Sequence, residues 1–318
     1  MMLAVTHISS WEWYHYAGFV IIILFLLALD LGVFHKSAHV VKIKEALGWS
    51  LLWFSLAMLF AVGVGAVHGR GSALEFVTGY IIELSLSMDN VFAIAIIFTY
   101  FCIPQSYQHR VLFWGIIGAL VMRGVMIGMG SALIHHFHWL LYVMGAFLIF
   151  SGIKMTFAKE EGVHPEKNIF VRLARKFFPV SDKLDGQKFF TVVNGKKALT
   201  PLTLVLGMVE TTDMIFALDS IPAIFAVTED TFVVFTSNVF AILGLRSLYF
   251  VLSGAIGYFR YLKIGLSVVL VFIGAKMLVA IWYSIPIGAS LGAVGAIIGI
   301  AIGASVVVGR REKKASLG

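Results

Sequence analysis

The chain has 318 residues, of which 60% are hydrophobic and 13% charged, with a mean hydropathy of +0.95. Charged residues at about half the share of a soluble domain exclude a water-soluble globule. The single Cys102 excludes an internal disulfide framework, a thiolate cluster and a CxxC redox pair, because each needs two or more sulfurs. The net charge of +7 sits mostly in short segments between apolar runs, without the aromatic-interleaved patch of a nucleic-acid binder. That placement points to membrane orientation and to no nucleic-acid partner.

Nine apolar runs follow in chain order, at 13–34, 46–67, 73–101, 111–134, 139–157, 201–221, 232–254, 262–283 and 286–308. Runs of roughly 20 residues cross a hydrocarbon layer of about 30 Å as helices, so the expected fold is an all-α polytopic membrane protein of about nine spans. Trp11, Trp13, Tyr14 and Tyr16 suit an aromatic belt where the first run begins. His135, His136 and His138 in the turn after the fourth run read as interface histidines. The hydrophilic segment 158–199 is too small for an independent catalytic domain. In it, Asn194-Gly195 between two short strand-like stretches predicts a β-hairpin on a type I′ turn. The segment reads as a solvated linker or as a docking surface for a membrane-associated partner. In the ninth run Gly288, Gly292, Gly295, Gly299 and Gly303 form one stripe, suited to close contact with a helix of this chain or of a second protomer in a homo-oligomer.

Nineteen of the twenty-four Lys and Arg residues follow odd-numbered runs or lie in 158–199, whereas only Arg70 appears on the opposite side. The positive-inside rule then places the N-terminus outside and the C-terminus in the cytoplasm of an inner (plasma) membrane. Lacking the basic stretch of a signal peptide, the first run is expected to stay in the mature protein.

Three charged residues recur in order with matching flanks. Asp89 in Ser87-Met-Asp-Asn-Val-Phe-Ala matches Asp213 in Thr211-Thr-Asp-Met-Ile-Phe-Ala; Arg123 matches Arg246, and Lys154 matches Lys276. Residues 73–157 thus repeat as 200–283 within a single transmembrane domain, with 284–318 forming a final span and basic tail. Three spans per copy make this an inverted repeat of spans 3–5 and 6–8, an arrangement that puts transport sites near the bilayer midplane.

Six acids are read as lying within the spans (Asp30, Glu83, Asp89, Glu210, Asp213 and Asp219), against four bases, Arg123, Lys154, Arg246 and Lys276. An ionised group at the membrane centre costs about 2.5–3.5 kcal/mol on insertion scales, so these groups must pair or face water. The surplus of two negative charges matches one divalent cation. The bases read as structural ion-pair partners, and Glu83, Asp89, Glu210, Asp213 and Asp219 as candidate metal ligands. Asn90 joins them, with Ser87 and Ser220 as secondary candidates. Because Asp89 and Asp219 point about 120° away from Glu83 and Asp213 on regular helices, local unwinding at Met88-Asp89-Asn90 and at Ser220-Ile221-Pro222 is expected to bring the acids together. An oxygen-only donor set favours Mn²⁺, Mg²⁺ or Ca²⁺. HExxH and GxGD motifs are absent, and an enzyme is not expected.

Glu83-Leu-Ser-Leu-Ser-Met-Asp-Asn-Val-Phe and Val209-Glu-Thr-Thr-Asp-Met-Ile-Phe-Ala-Leu-Asp-Ser-Ile-Pro resemble the TerC family of integral membrane proteins, in particular its Alx-like branch. The resemblance implies a manganese exporter related to the LysE superfamily, historically named for tellurium resistance. Its metal-site acids fall on Glu83, Asp89, Glu210, Asp213 and Asp219. The expectation is a transporter that exports Mn²⁺ as substrate and carries no cofactor. A membrane scaffold or stress-resistance factor, and a Ca²⁺ or Mg²⁺ transporter, are the alternatives.

Overall fold

The protein is described by a computed structural model covering residues 11–29, 43–157, 168–193, 195–253, 262–280, 282–283 and 285–315. Asp30, Arg260 and residues 158–167 lie outside the described residues. The helices are α1 (Trp13–Leu29), α2 (Ile43–His68), α3 (Arg70–Tyr100), α4 (Gln105–His136), α5 (Leu140–Phe157), α6 (Ile169–Phe177), α7 (Pro201–Phe225), α8 (Thr231–Ser253), α9 (Leu262–Val279) and α10 (Ile287–Ala315). One hairpin, β1 (Phe190–Val193) with β2 (Lys196–Leu199), precedes α7.

Eight of these helices are long and apolar enough to cross a membrane, and α1 is a shorter apolar helix of 17 residues. The fold is therefore all-α and polytopic. Helices dominate because hydrocarbon offers no water to backbone N–H and C=O groups, which must be satisfied within each segment. Hydroxyls obey the same constraint. Thr78, Ser85, Thr99 and Thr236 each donate to the carbonyl four residues back, at 2.6 to 2.8 Å.

Helix ends follow local chemistry. Asp230 Oδ1 accepts from the Phe232 and Val233 amides and caps α8. Pro201 occupies the first turn of α7, where its missing N–H costs nothing. The hairpin pairs Phe190 with Leu199 and Val193 with Lys196. Gly195 holds φ +75°, the left-handed value that a type I′ turn requires of its second central residue.

Helices α3, α4, α7 and α8 form the centre: α3 packs on α8 and α7, and α4 on α7 and α8. Alongside them α5 pairs with α9, α2 covers α3 and α8, and α10 lies on α9 and α3. The α5–α9 seam is close because it is built on glycine. A Cβ on Gly152 would stand 2.7 Å from the Ser267 carbonyl oxygen, and one on Gly274 would meet the Gly145 carbonyl oxygen at 2.5 Å. By contrast, a Cβ on any of Gly288, Gly292, Gly295, Gly299 or Gly303 meets nothing within 4 Å, so the α10 stripe faces no neighbour among the described residues.

Gly152→Val is expected to overpack the seam at a cost of about 1–3 kcal/mol, whereas Gly292→Val leaves stability unchanged. Thermal unfolding of the purified protein in detergent, followed by tryptophan fluorescence, separates the two.

Candidate functional site

At the centre of the four inner helices the Arg123 guanidinium, on α4, is buried among polar side chains from three others. Its Nη1 donates to the Glu83 carboxylate on α3 and to Asn238 Oδ1 on α8 at 3.0 Å. Nη2 and Nε grip Asp213 on α7, at 2.7 Å to Oδ1 and 3.1 Å to Oδ2. This two-pronged geometry suits a planar guanidinium better than an ammonium. Neighbouring groups complete the network. Asn90 Nδ2 donates to Asp213 Oδ1 at 2.9 Å, Asn238 Nδ2 to Glu83 Oε2 at 3.3 Å and Ser87 to Glu83 Oε1 at 3.3 Å. Asn90 Oδ1 is buried with no hydrogen-bond partner among the described residues.

Two cavities meet at this network, and both are lined by Asn90 and Arg123. The larger, of about 290 Å³, lies among α3, α5, α7 and α9; the Asp89 and Asp219 carboxylates line it with Ser87, Ser220, Lys154 and Lys263. Ser151 donates to Asp219 Oδ1 at 2.7 Å, Lys154 interacts electrostatically with the same acid, and Lys263 does so with Asp89. A second space of about 20 Å³, room for about one water, is lined by Glu210, Asp213 and Arg246. Glu210 lies against the bare backbone of Gly118, where any Cβ would overlap its carboxylate. Three residues apart, it and Asp213 are like-charged neighbours.

Several expectations are revised. Neither helix unwinds: α3 runs unbroken through Met88, Asp89 and Asn90, and α7 through Pro222. Pro222 has no N–H to give the Leu218 carbonyl, yet α7 continues through it to Phe225. Asn90 spends its amide on Asp213 rather than on backbone. The six-residue offset consequently stands, and Asp89 and Asp219 turn towards the large cavity while Glu83 and Asp213 turn towards Arg123. The five acids thus divide into three settings. Among the described residues no three of His, Cys, Asp or Glu are grouped so as to hold a metal ion.

The set of intramembrane charges also grows by two. Glu75 belongs with the intramembrane acids: it accepts from Thr228 at 2.7 Å and interacts with Lys276. Lys263, which sequence alone assigned to orientation, faces Asp89. One acid and one base thus join the count, and the surplus of two negative charges stands when Asp30 is counted as before. Ser151 was missed because a lone hydroxyl in an apolar run carries no pattern; Asn238 did carry a signal, since Asn238-Val-Phe-Ala-Ile repeats Asn90-Val-Phe-Ala-Ile. Away from the site, Trp11 donates to Asp230 Oδ2 at 2.8 Å and stacks on His68 and Phe232, whereas Trp13 and Tyr14 are exposed. His135, His136 and His138 are exposed at the end of α4 and in the turn beyond it.

Fold and site define a multi-pass integral membrane protein with an ionisable network inside its spans. Residues 68–314 match the integral membrane protein TerC family, and the chain belongs to that family. It is 53% identical over 295 residues to an uncharacterized membrane protein of Myxococcus xanthus, STKORF319, covering 93% of this chain and 92% of that one. A Salmonella typhi protein bearing the provisional name membrane-bound redox modulator Alx is 47% identical over 309 residues, covering 94% and 96%. The Escherichia coli K12 protein with the same provisional name is 47% identical over 288 residues, covering 88% and 90%. No solved structure matches the chain.

Arg123→Met leaves two buried carboxylates without their cation and is expected to cost about 3–5 kcal/mol. Adding Glu83→Gln and Asp213→Asn to it should recover much of that loss, as read from thermal midpoints of the single and triple variants.

Proposed function

We propose that this TerC-family protein is a transporter that moves a divalent cation, Mn²⁺, out of the cytoplasm through the buried carboxylate network. The observation that carries the reading is Arg123 standing between Glu83 and Asp213 where two cavities meet. One guanidinium offsets only half of the charge of two carboxylates, whereas a divalent ion offsets all of it. In the proposed cycle Arg123 holds the place of the ion and retracts into a cavity that it already lines. Its departure frees oxygens of Glu83, Asp213 and Asn238 beside the unpartnered Asn90 Oδ1. Such a set is oxygen-only, as a small hard cation requires. Asp89 and Asp219, opposite Lys263 and Lys154, line the approach; Glu210 serves the other side.

The helix pairing supports an inverted repeat. Exchanging two three-helix units by a two-fold axis would carry the α3–α8 contact onto α7–α4 and pair α5 with α9, and those pairs are in contact. Equivalent charges meet different surroundings: Asp213 is gripped by Arg123 while Asp89 faces a cavity, and Lys154 faces Asp219 while Lys276 faces Glu75. One state of an alternating-access carrier is expected to break its internal symmetry in this way. The reading includes the inner-membrane placement with the N-terminus outside and no enzymatic chemistry. Relatives carry a name that invokes redox modulation. Cys102, the single cysteine, provides no dithiol within this chain, which favours ion handling over thiol exchange.

Manganese efflux from cells and from proteoliposomes tests the proposal. Glu83→Gln and Asp213→Asn should each lower Mn²⁺ flux by about tenfold or more at equal membrane levels, the scale at which metal-site partners matter. Unchanged flux would overturn it, and competition by Ca²⁺ or Mg²⁺ would reassign the ion.

A further inference from the structure

Helix α6 lies outside the spans and has no part in the ion pathway, yet its nine residues divide into three faces. At about 100° per residue, Val171 and Ala174 share one side, Arg172, Arg175 and Lys176 a second, and Ile169, Leu173 and Phe177 a third. The first side is buried, with Ala174 packed on Leu199 and Leu204; Phe170, between the first side and the third, sets its ring in the space that a side chain on Gly207 of α7 would need. The third is apolar and open. Ile169 and Phe177 are each 67% exposed, and Phe178 just beyond is 57% exposed. Asn168 caps the helix, its Oδ1 accepting from the Val171 amide at 3.2 Å.

Position gives the open face a partner. Gly207 is the seventh residue of α7, so at 1.5 Å per residue Phe170 sits about 10 Å along that spanning helix. Helix α6 therefore lies beside one end of a span, and an in-plane amphipathic helix rests at such an end, its apolar face about 5–10 Å into the boundary of headgroups and acyl chains. The hairpin beside it repeats the pattern, with Phe190 and Val192 exposed near Lys196 and Lys197. It is tied to the foot of α4 by the Arg110 guanidinium, 5.3 Å from the centre of the Phe189 ring. Residues 168–199 carry seven Lys or Arg against Asp182 and Asp185. Asp185 is already engaged: the Thr191 hydroxyl, then Lys188, hold its carboxyl below the usual carboxylate range.

We infer that α6, with β1, is an in-plane anchor that seats on a bilayer surface rich in anionic phospholipid. Ile169, Leu173, Phe177 and Phe178 enter the acyl boundary, while Arg172, Arg175 and Lys176 meet the lipid phosphates. A solvated linker would leave this apolar face in water, and a docking face for a protein partner would need no alignment with the α7 span.

The full chain in a Cys102→Ser background, spin-labelled at Phe177→Cys or Arg175→Cys and reconstituted in phosphatidylcholine with or without phosphatidylglycerol, tests the inference. The Phe177 label should collide several-fold more often with oxygen than with a water-soluble nickel reagent, and the Arg175 label should show the reverse. Phosphatidylglycerol should raise the thermal midpoint of the unlabelled chain, a gain lost in Arg172→Gln, Arg175→Gln, Lys176→Gln. A nickel-accessible Phe177 label in both bilayers would overturn the anchor. Equal midpoints in both lipids, with or without the three glutamines, would overturn its preference for anionic lipid. Shielding of the label in native membranes but not in reconstituted ones would overturn it in favour of a protein partner.

Discussion

The buried contact of one guanidinium with two carboxylates, Arg123 between Glu83 and Asp213, is the constraint on which the centre of this protein depends. In hydrocarbon neither acid nor base can stand ionised alone. Four helices must therefore meet where these side chains do: α3 brings Glu83, α4 Arg123, α7 Asp213 and α8 Asn238. The glycines follow from the same demand. Gly118 gives the Glu210 carboxylate its place against α4, and the Gly145, Gly152 and Gly274 contacts let α5 and α9 close on each other beside the larger cavity. Polar contacts fix which helices meet, and bare backbone lets them approach.

A network of this kind is stable yet leaves one negative charge on its central triad. Arg123 satisfies hydrogen bonds with every guanidinium nitrogen, but its single charge is short of the two it faces. In the proposed cycle that residual attraction draws a divalent ion inward, and the arginine returns when the ion leaves, so that no step exposes two bare carboxylates to lipid. In the same proposal Lys154 and Lys263 act likewise opposite Asp219 and Asp89, with which they interact electrostatically.

Much of the fold was legible in the sequence because lipid imposes one simple demand, long apolar segments, and the spans from α2 to α10 obey it. The Asp-Arg-Lys series was legible for the same reason: charges in such segments are conspicuous. What stayed hidden depended on where side chains point. Pro222 and Met88-Asp89-Asn90 look like helix breakers locally, but backbone continuity in hydrocarbon outweighs those preferences, and the acids separate onto different faces. Ser151 gave no pattern in its run, Asn238 was marked only by the Asn-Val-Phe-Ala-Ile stretch that it shares with Asn90, and Lys263 looked like an orientation charge until α9 set it opposite Asp89. Helix α6 was overlooked in a hydrophilic stretch, although Asn168 followed by apolar residues at 169, 170, 173 and 177 is a capped amphipathic pattern.

The most direct test of the central claim is a high-resolution structure of the protein in lipid at saturating Mn²⁺, with the ion identified by its anomalous scattering. The proposed cycle requires manganese between Glu83 and Asp213, ligated by oxygen, with the Arg123 guanidinium withdrawn from both. Arg123 still bridging the two carboxylates, with manganese bound elsewhere or nowhere, would contradict it.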